Sequence, residues 1–63
     1  MYDDNIYNIM AQIVEESQSL HRIKKNYKND AKDCDECREY WQKLEKEKEQ
    51  HIDDLEQLLK NNL

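Results

Sequence analysis

The sequence has no glycine, no proline and no phenylalanine among its 63 residues. Without glycine, a glycine-rich phosphate loop is impossible, which excludes nucleotide-hydrolysing enzymes of that kind. The lack of phenylalanine and the single valine disfavour β-strands. No apolar run approaches the roughly 20 residues that span a bilayer, and the amino terminus carries Asp3 and Asp4 instead of the basic region of a signal peptide. We therefore expect no membrane association and a cytoplasmic location.

The residues that are present are mostly charged: 40% are Asp, Glu, Lys or Arg, and the net charge is −5. Residues 30–63 carry eleven acids against six bases, whereas residues 1–29 carry four of each. Binding to nucleic acid or to an anionic membrane requires a basic face, so direct nucleic-acid binding is not expected. The acidic half is better suited to binding another protein.

The chain is short enough that we expect a single domain over residues 1–63. A helical core of this size lies near the limit of independent stability, and small domains usually need staples or partner chains. The sequence therefore predicts self-association as a homodimer or a higher oligomer.

Helical periodicity appears in the first half, where apolar residues recur at alternating steps of three and four. The predicted stripe runs through Ile6, Met10, Ile13, Leu20 and Tyr27, with Ser17 and Lys24 at the remaining positions. Ile9, Val14 and Ile23 widen it on both flanks, which suits a helix in a bundle. Acids at its start and bases at its end match the helix dipole.

The segment from Asn29 to Asp33 predicts a turn, because its side chains compete for backbone hydrogen bonds. Asn29 is the expected left-handed residue, and Asp33 with Glu36 resembles a capping box for a second helix. These signals predict an all-α fold: an antiparallel two-helix hairpin, with helices at about 4–29 and 33–61, that assembles into a helical bundle. The predicted interface consists of Ile6, Met10, Ile13, Leu20, Tyr27, Trp41, Leu44, Leu55 and Leu58.

An alternative architecture is one long parallel coiled coil. The phase of the first stripe continues by sevens to Cys34, Trp41, Lys48 and Leu55. This arrangement would leave Leu44 and Leu58 off the main seam and would not use the stop and start signals. The hairpin is therefore favoured.

Cys34 and Cys37 are the only cysteines and form a Cys-x-x-Cys pair. In a reducing compartment we expect free thiols or metal ligands, and two such sulfurs can bind one Zn²⁺. The pair at the apex of an antiparallel coiled coil resembles a zinc hook, which implies a zinc site completed by a second chain. Redox chemistry and simple packing residues are the other two interpretations.

His51, with Glu47 one turn earlier and Glu16 on the opposite helix, forms the second candidate metal set. The arrangement resembles half of a ferritin-like di-iron site, which in encapsulated ferritins is completed by dimerisation of a hairpin. The residue three before His51 is Lys48, where the family has a ligand. A histidine paired with a nearby acid is the simpler interpretation.

Four cations near the end of the first helix form a possible anion contact: Arg22, Lys24, Lys25 and Lys28. Such a cluster can hold a phosphate, although a solvated helix end has the same composition.

No residue pattern specifies a reaction, since the serines lack an activating base. We therefore predict a protein that is not an enzyme and has no cofactor: a small acidic helical interaction module that acts as a homo-oligomer. By analogy of size and charge alone, it is similar to regulators and phage-type inhibitors that bind a partner surface or sequester a ligand. The alternatives are the iron half-site and the zinc-linked hairpin.

Overall fold

The computed structural model describes residues 4–63, so the predicted contribution of Asp3 to the helix start lies outside the described residues. The chain forms helix α1 (Asp4–Arg22), a π-helical segment (Ile23–Tyr27), the short helix α2 (Lys28–Asp30) and helix α3 (Asp35–Asn62). The first three elements follow one another without a break and make one arm, which packs against α3.

The protein is therefore an all-α helical hairpin, as predicted, and the two arms agree with the predicted ranges of 4–29 and 33–61. The single long coiled coil is wrong, because the chain reverses direction at residues 31–33. The hairpin measures 48 × 16 × 12 Å and has a radius of gyration of 14.4 Å. A compact domain of this length would have a radius of about 11 Å. The molecule is thus a rod with a thin core.

The seam of α1 is shifted from the predicted one. The observed seam runs through Ile6, Ile9, Ile13, Glu16 and Leu20, all buried or half-buried, and continues to Ile23 of the π-helical segment. Met10 is 40% exposed, and Ser17 and Lys24 are exposed as well, so their predicted seam positions are wrong. The observed series keeps the steps of three and four but replaces Met10 and Lys24 with two isoleucines, which bury more branched apolar surface.

The seam of α3 follows Trp41, Leu44, Lys48, Ile52, Leu55 and Leu59, all half-buried. Leu58, a predicted interface residue, is 46% exposed and lies outside the seam between the two arms. After Lys48 the seam continues four residues later at Ile52, whereas His51 is exposed. No residue of α3, which is described throughout, is fully buried.

The π-helical segment keeps the first arm facing α3 near the turn. Ile23, Tyr27 and Ala31 all face inward at successive steps of four. In an α-helix each such step overshoots a full turn by about 40°. The wider i→i+5 turn, seen in the bond from the Lys28 amide to the Ile23 carbonyl, absorbs this excess.

The turn forms without any left-handed residue. Asn29 does not adopt the predicted conformation: none of residues 4–63 has a positive φ. Instead Ala31 ends the helix at φ −94° and ψ 16°, and the amides of Lys32 and Cys34 bond to the carbonyls of Asn29 and Ala31 at 3.3 and 2.9 Å. Helices can end in such tightened turns when their last carbonyls find local donors.

The amino-terminal cap of α3 is Cys34, so the predicted Asp33 capping box is wrong. The Cys34 backbone is extended, and its sulfur accepts a hydrogen bond from the Cys37 amide at 3.2 Å. The Arg38 guanidinium donates to the Lys32 carbonyl and to the Asp35 carboxylate. Arg38 therefore ties the turn to the first turn of α3. None of the helices within residues 4–63 is both long and apolar enough to cross a membrane.

Candidate functional site

A polar layer interrupts the apolar seam halfway along the hairpin. Its members are Glu16 of α1 and Lys48 and His51 of α3, which we call the polar layer below. Lys48 Nζ lies 2.9 Å from Glu16 Oε2, and His51 Nδ1 lies 3.7 Å from the same oxygen. Gln12 Nε2 donates to Glu16 Oε1 at 3.3 Å. Each carboxylate oxygen of Glu16 therefore has a polar neighbour.

Glu16 is the most unusual member, because it is only 9% exposed although most buried residues of this chain are apolar. Charged residues are seldom buried unless they are paired. Here the pairing group is the Lys48 ammonium, whose side chain retains 21% exposure, while His51 is about half exposed. The layer is thus an ion pair on the inner face with a histidine at its solvent edge.

The pKa of Glu16 is lowered from its ordinary value of 4.5. The close contact of its carboxylate with the Lys48 ammonium has the largest effect on this pKa, followed by burial, which acts in the opposite direction, and then by the hydrogen bond from Gln12. The Coulombic attractions of Lys48 and His51 lower the pKa further. The folded state therefore holds the carboxylate ionised more strongly than the unfolded state does.

The lowered pKa predicts a loss of stability in acid. Because the folded-state pKa lies below the unfolded value, the stabilisation is fully present above about pH 4.5 and is lost as the pH falls through the folded pKa. Urea unfolding at fixed protein concentration between pH 7 and pH 2 measures it. Between pH 7 and pH 2, the free energy of unfolding of the Glu16→Gln variant should decrease less than that of the native chain. The Glu47→Gln variant, changed at an exposed position, should show the same decrease as the native chain. An equal decrease in the free energy of unfolding for Glu16→Gln and the native chain would show that Glu16 is not the group responsible.

The structure brings together only part of the predicted iron set. Glu16 and His51 are neighbours, as predicted, but Glu47 is exposed and does not join them. Within the described part of the chain, no three His, Cys, Asp or Glu side chains form a group able to hold a metal ion. The Lys48 ammonium occupies the position beside the Glu16 carboxylate where a metal ion would bind. The di-iron ligand set is not assembled within one chain.

The two cysteines are joined in a disulfide, so the prediction of free thiols is wrong for this state of the protein. Their Cα atoms lie 5.3 Å apart, within the usual range for a disulfide. Helix α3 produces this proximity, because the two residues occupy its cap and its first turn. A zinc site here would require both sulfurs as thiolates, and therefore prior reduction.

Two aromatic residues, Tyr27 and Trp41, lie beside the disulfide near the turn. The rings of Tyr27 and Trp41 lie 4.9 Å apart, and those of Tyr40 and Trp41 lie 5.5 Å apart. A cavity of about 330 Å³ lies between the arms, lined by Tyr27, Asp30, Ala31, Cys34, Cys37 and Trp41. We call this space the apex cavity.

The predicted anion cluster is divided between two environments. Lys28 is half-buried and forms an ion pair with Glu45 of α3, with Nζ 3.4 Å from Oε2. Arg22, Lys24 and Lys25 are exposed. Lys28 therefore holds the two arms together, and only the other three face solvent.

A second stripe on α1 was missed as a separate feature by the sequence analysis. It consists of Tyr7, Met10, Val14, Ser17 and His21, all exposed and spaced by three and four residues; we call it the outer stripe. Tyr7 is 66% exposed and Val14 is 55% exposed. Two hollows of about 440 and 510 Å³ lie along it on either side of Val14. The signal was present in the sequence as a second series with the same period.

Comparison with known proteins identifies no relative of this chain: no family model, curated protein or solved structure matches it.

Proposed function

We propose that the protein is a non-enzymatic interaction module whose outer stripe binds a second copy of the chain. The observation that supports this is the absence of charge from Asn5 to Val14, in a chain of which 40% is charged. The part of the outer stripe from Tyr7 to Val14 is therefore uncharged and offers no like charges to repel an identical surface, while Glu15 and Arg22 line the hollows beside the stripe. Self-complementarity of this kind is what a twofold-symmetric dimer requires.

The ends of the stripe favour an antiparallel arrangement of the two α1 helices. If Val14 lies at the twofold axis, Tyr7 of one chain lies near His21 of the other. Asp4 then approaches the basic cluster that contains Arg22 and Lys24, which is exposed at the opposite end of the stripe. Acid and base thus meet at both ends of the interface, and the exposed cations gain partners.

The small core of the hairpin means that dimerisation would stabilise the fold. Buried apolar residues among residues 4–63 are limited to Ile6, Ile9, Ile23 and Ala31. Pairing through α1 would bury a second face of that helix and produce a four-helix bundle, the usual packing of such hairpins. The dimer would supply the apolar burial that one hairpin lacks.

In this dimer the outer face of each α3 helix remains exposed to solvent. Helix α3 carries nine acids against five bases, so the dimer presents two acidic surfaces. We propose that these surfaces bind a basic region of another protein, as an acidic regulator or inhibitor would, in the cytoplasm. A complex formed in this way should weaken as ionic strength rises, because its attraction is between exposed charges.

The dimer predicts a solution mass of twice the 7.8 kDa of the chain. Val14→Glu should weaken dimerisation by about 100-fold or more, because two carboxylates would meet at the axis. Sedimentation equilibrium across a concentration series measures this. An equimolar mixture of Val14→Glu and Val14→Lys chains should recover the dimer, since opposite charges then meet.

Gln42→Glu is the matched control, because it adds the same charge at an exposed position of α3. It should leave the dimerisation constant unchanged. Circular dichroism of each variant shows whether the helices persist. A native chain that remains monomeric at high micromolar concentration, or a Val14→Glu chain that dimerises as the native chain does, would overturn the proposal.

A further inference from the structure

The Cys34–Cys37 disulfide has little value as a structural staple. The loop that it closes contains only two intervening residues, and the stabilisation expected from loop closure falls as the loop shortens. The two cysteines also belong to one helix end, so the disulfide does not link the arms. In a reducing compartment, the disulfides that do occur are usually catalytic or redox-sensing.

The surroundings of the two sulfurs differ in a way that matters for exchange. Cys37 is exposed, whereas Cys34 is half-buried and caps α3. The Cys37 amide already donates to the Cys34 sulfur at 3.2 Å. A thiolate formed at Cys34 would keep this donor and would lie at the positive end of the helix dipole. Cys37 is the accessible sulfur and Cys34 the better leaving group.

We propose that this disulfide is a thiol–disulfide exchange site for a small organic thiol without negative charge. A thiolate attacks Cys37 Sγ and forms a mixed disulfide, while the Cys34–Cys37 bond breaks and its electron pair passes to Cys34 Sγ. A second thiolate then attacks the substrate sulfur of the mixed disulfide and releases Cys37. Two thiols are thereby oxidised to one disulfide, the protein disulfide is reduced, and the two thiol protons end on the cysteines.

The charge preference of the site follows from the acids at the apex. Asp30 lines the apex cavity, and Asp33 and Glu36 are exposed within the turn and the first turn of α3. Asp35 is paired with Arg38 and contributes less. The remaining acids repel an anionic thiol and attract a cationic one, and the Tyr27–Trp41 wall of the cavity offers apolar contact to the body of the substrate.

The test uses three probes on the oxidised full chain: cysteamine, 2-mercaptoethanol and 3-mercaptopropionate. Trp41 is the only tryptophan and shares the apex cavity with the disulfide, so its emission should report reduction. After correction for each probe's thiolate fraction and for the dependence of thiolate nucleophilicity on thiol pKa, we expect cysteamine to react about tenfold faster than 3-mercaptopropionate at low salt. Added salt should reduce the ratio. Asp30→Asn combined with Asp33→Asn should also reduce it.

The position of attack is read by quenching the reaction with iodoacetamide and fragmenting the peptide that carries both cysteines. We expect the probe on Cys37 and the alkyl group on Cys34, in a ratio of about ten to one. The Cys34→Ser, Cys37→Ser double variant should keep the helical circular dichroism of the native chain, since the disulfide is not a staple. A disulfide that resists millimolar thiols, an equal distribution of the probe over both sulfurs, or loss of the helices on reduction would overturn the proposal. None of these outcomes depends on whether the chain dimerises.

Discussion

Lys48→Met is expected to destabilise the hairpin by about 2 kcal/mol, because it leaves the Glu16 carboxylate buried without its cation. Removing one partner of a fully buried pair typically costs about 3–5 kcal/mol. The cost should be smaller here, since the Lys48 side chain retains 21% exposure and water can reach part of the layer. Chemical denaturation at pH 7 and at one fixed protein concentration measures the difference in free energy of unfolding.

The double variant Glu16→Met, Lys48→Met distinguishes the effect of the ion pair on stability from the effect of side-chain packing at the same positions. With both charges replaced by apolar side chains of similar length, we expect a stability equal to or greater than that of the native chain. The polar layer then acts to set the register of the two arms, as buried polar positions do in coiled coils. Lys46→Met, at an exposed position of the same helix, should change the stability by less than about 0.5 kcal/mol. A double variant as unstable as Lys48→Met would contradict this account.

Ile23→Ala is expected to cost about 3 kcal/mol, within the range of 2–5 for such truncations. Ile23 is 1% exposed and is the most deeply buried side chain among residues 4–63. It lies where the π-helical segment meets α3, so the cavity left by truncation cannot be filled by a shift of α1 alone. Thermal and urea unfolding, each followed by circular dichroism, provide the measurement.

Two further variants serve as a graded truncation and a control for this prediction. Ile23→Val removes one methylene and should cost about 1 kcal/mol. Lys25→Ala lies in the same π-helical segment but is exposed, so it should have nearly no effect. If Lys25→Ala were as destabilising as Ile23→Ala, helix propensity within the segment would be responsible, and the burial argument would be wrong. Because the proposed dimer would add to stability in a concentration-dependent way, all variants must be compared at the same protein concentration.

The hairpin could be predicted from the sequence because its signals are local. The side chains from Asn29 to Asp33 interrupt a helix wherever they occur, and acids that precede Cys37 favour the start of another. The residue that caps α3 could not be predicted in the same way. Cys34 takes that position because its sulfur accepts the Cys37 amide, and Asp33 lies one residue too early.

The register of α1 shows where sequence analysis fails. Two series with the same period run along this helix: Ile6, Met10, Ile13, Ser17 and Ile6, Ile9, Ile13, Glu16. The first avoids a buried acid, and the second buries more isoleucine. The structure chooses the second, because Lys48 on α3 neutralises Glu16 and makes its burial tolerable. A choice between the two series depends on a partner 32 residues away.

By itself, the sequence determined the all-α class, the two arms and the turn between them, because helix periodicity and turn chemistry act over a few residues. The tertiary structure alone decided which face of α1 is buried, which acid enters the seam, and which stripe of α1 is left exposed. It also decided that the two cysteines bond to each other at the apex. These features depend on which side chains of α3 lie opposite each turn of α1, and packing of the whole hairpin decides that match.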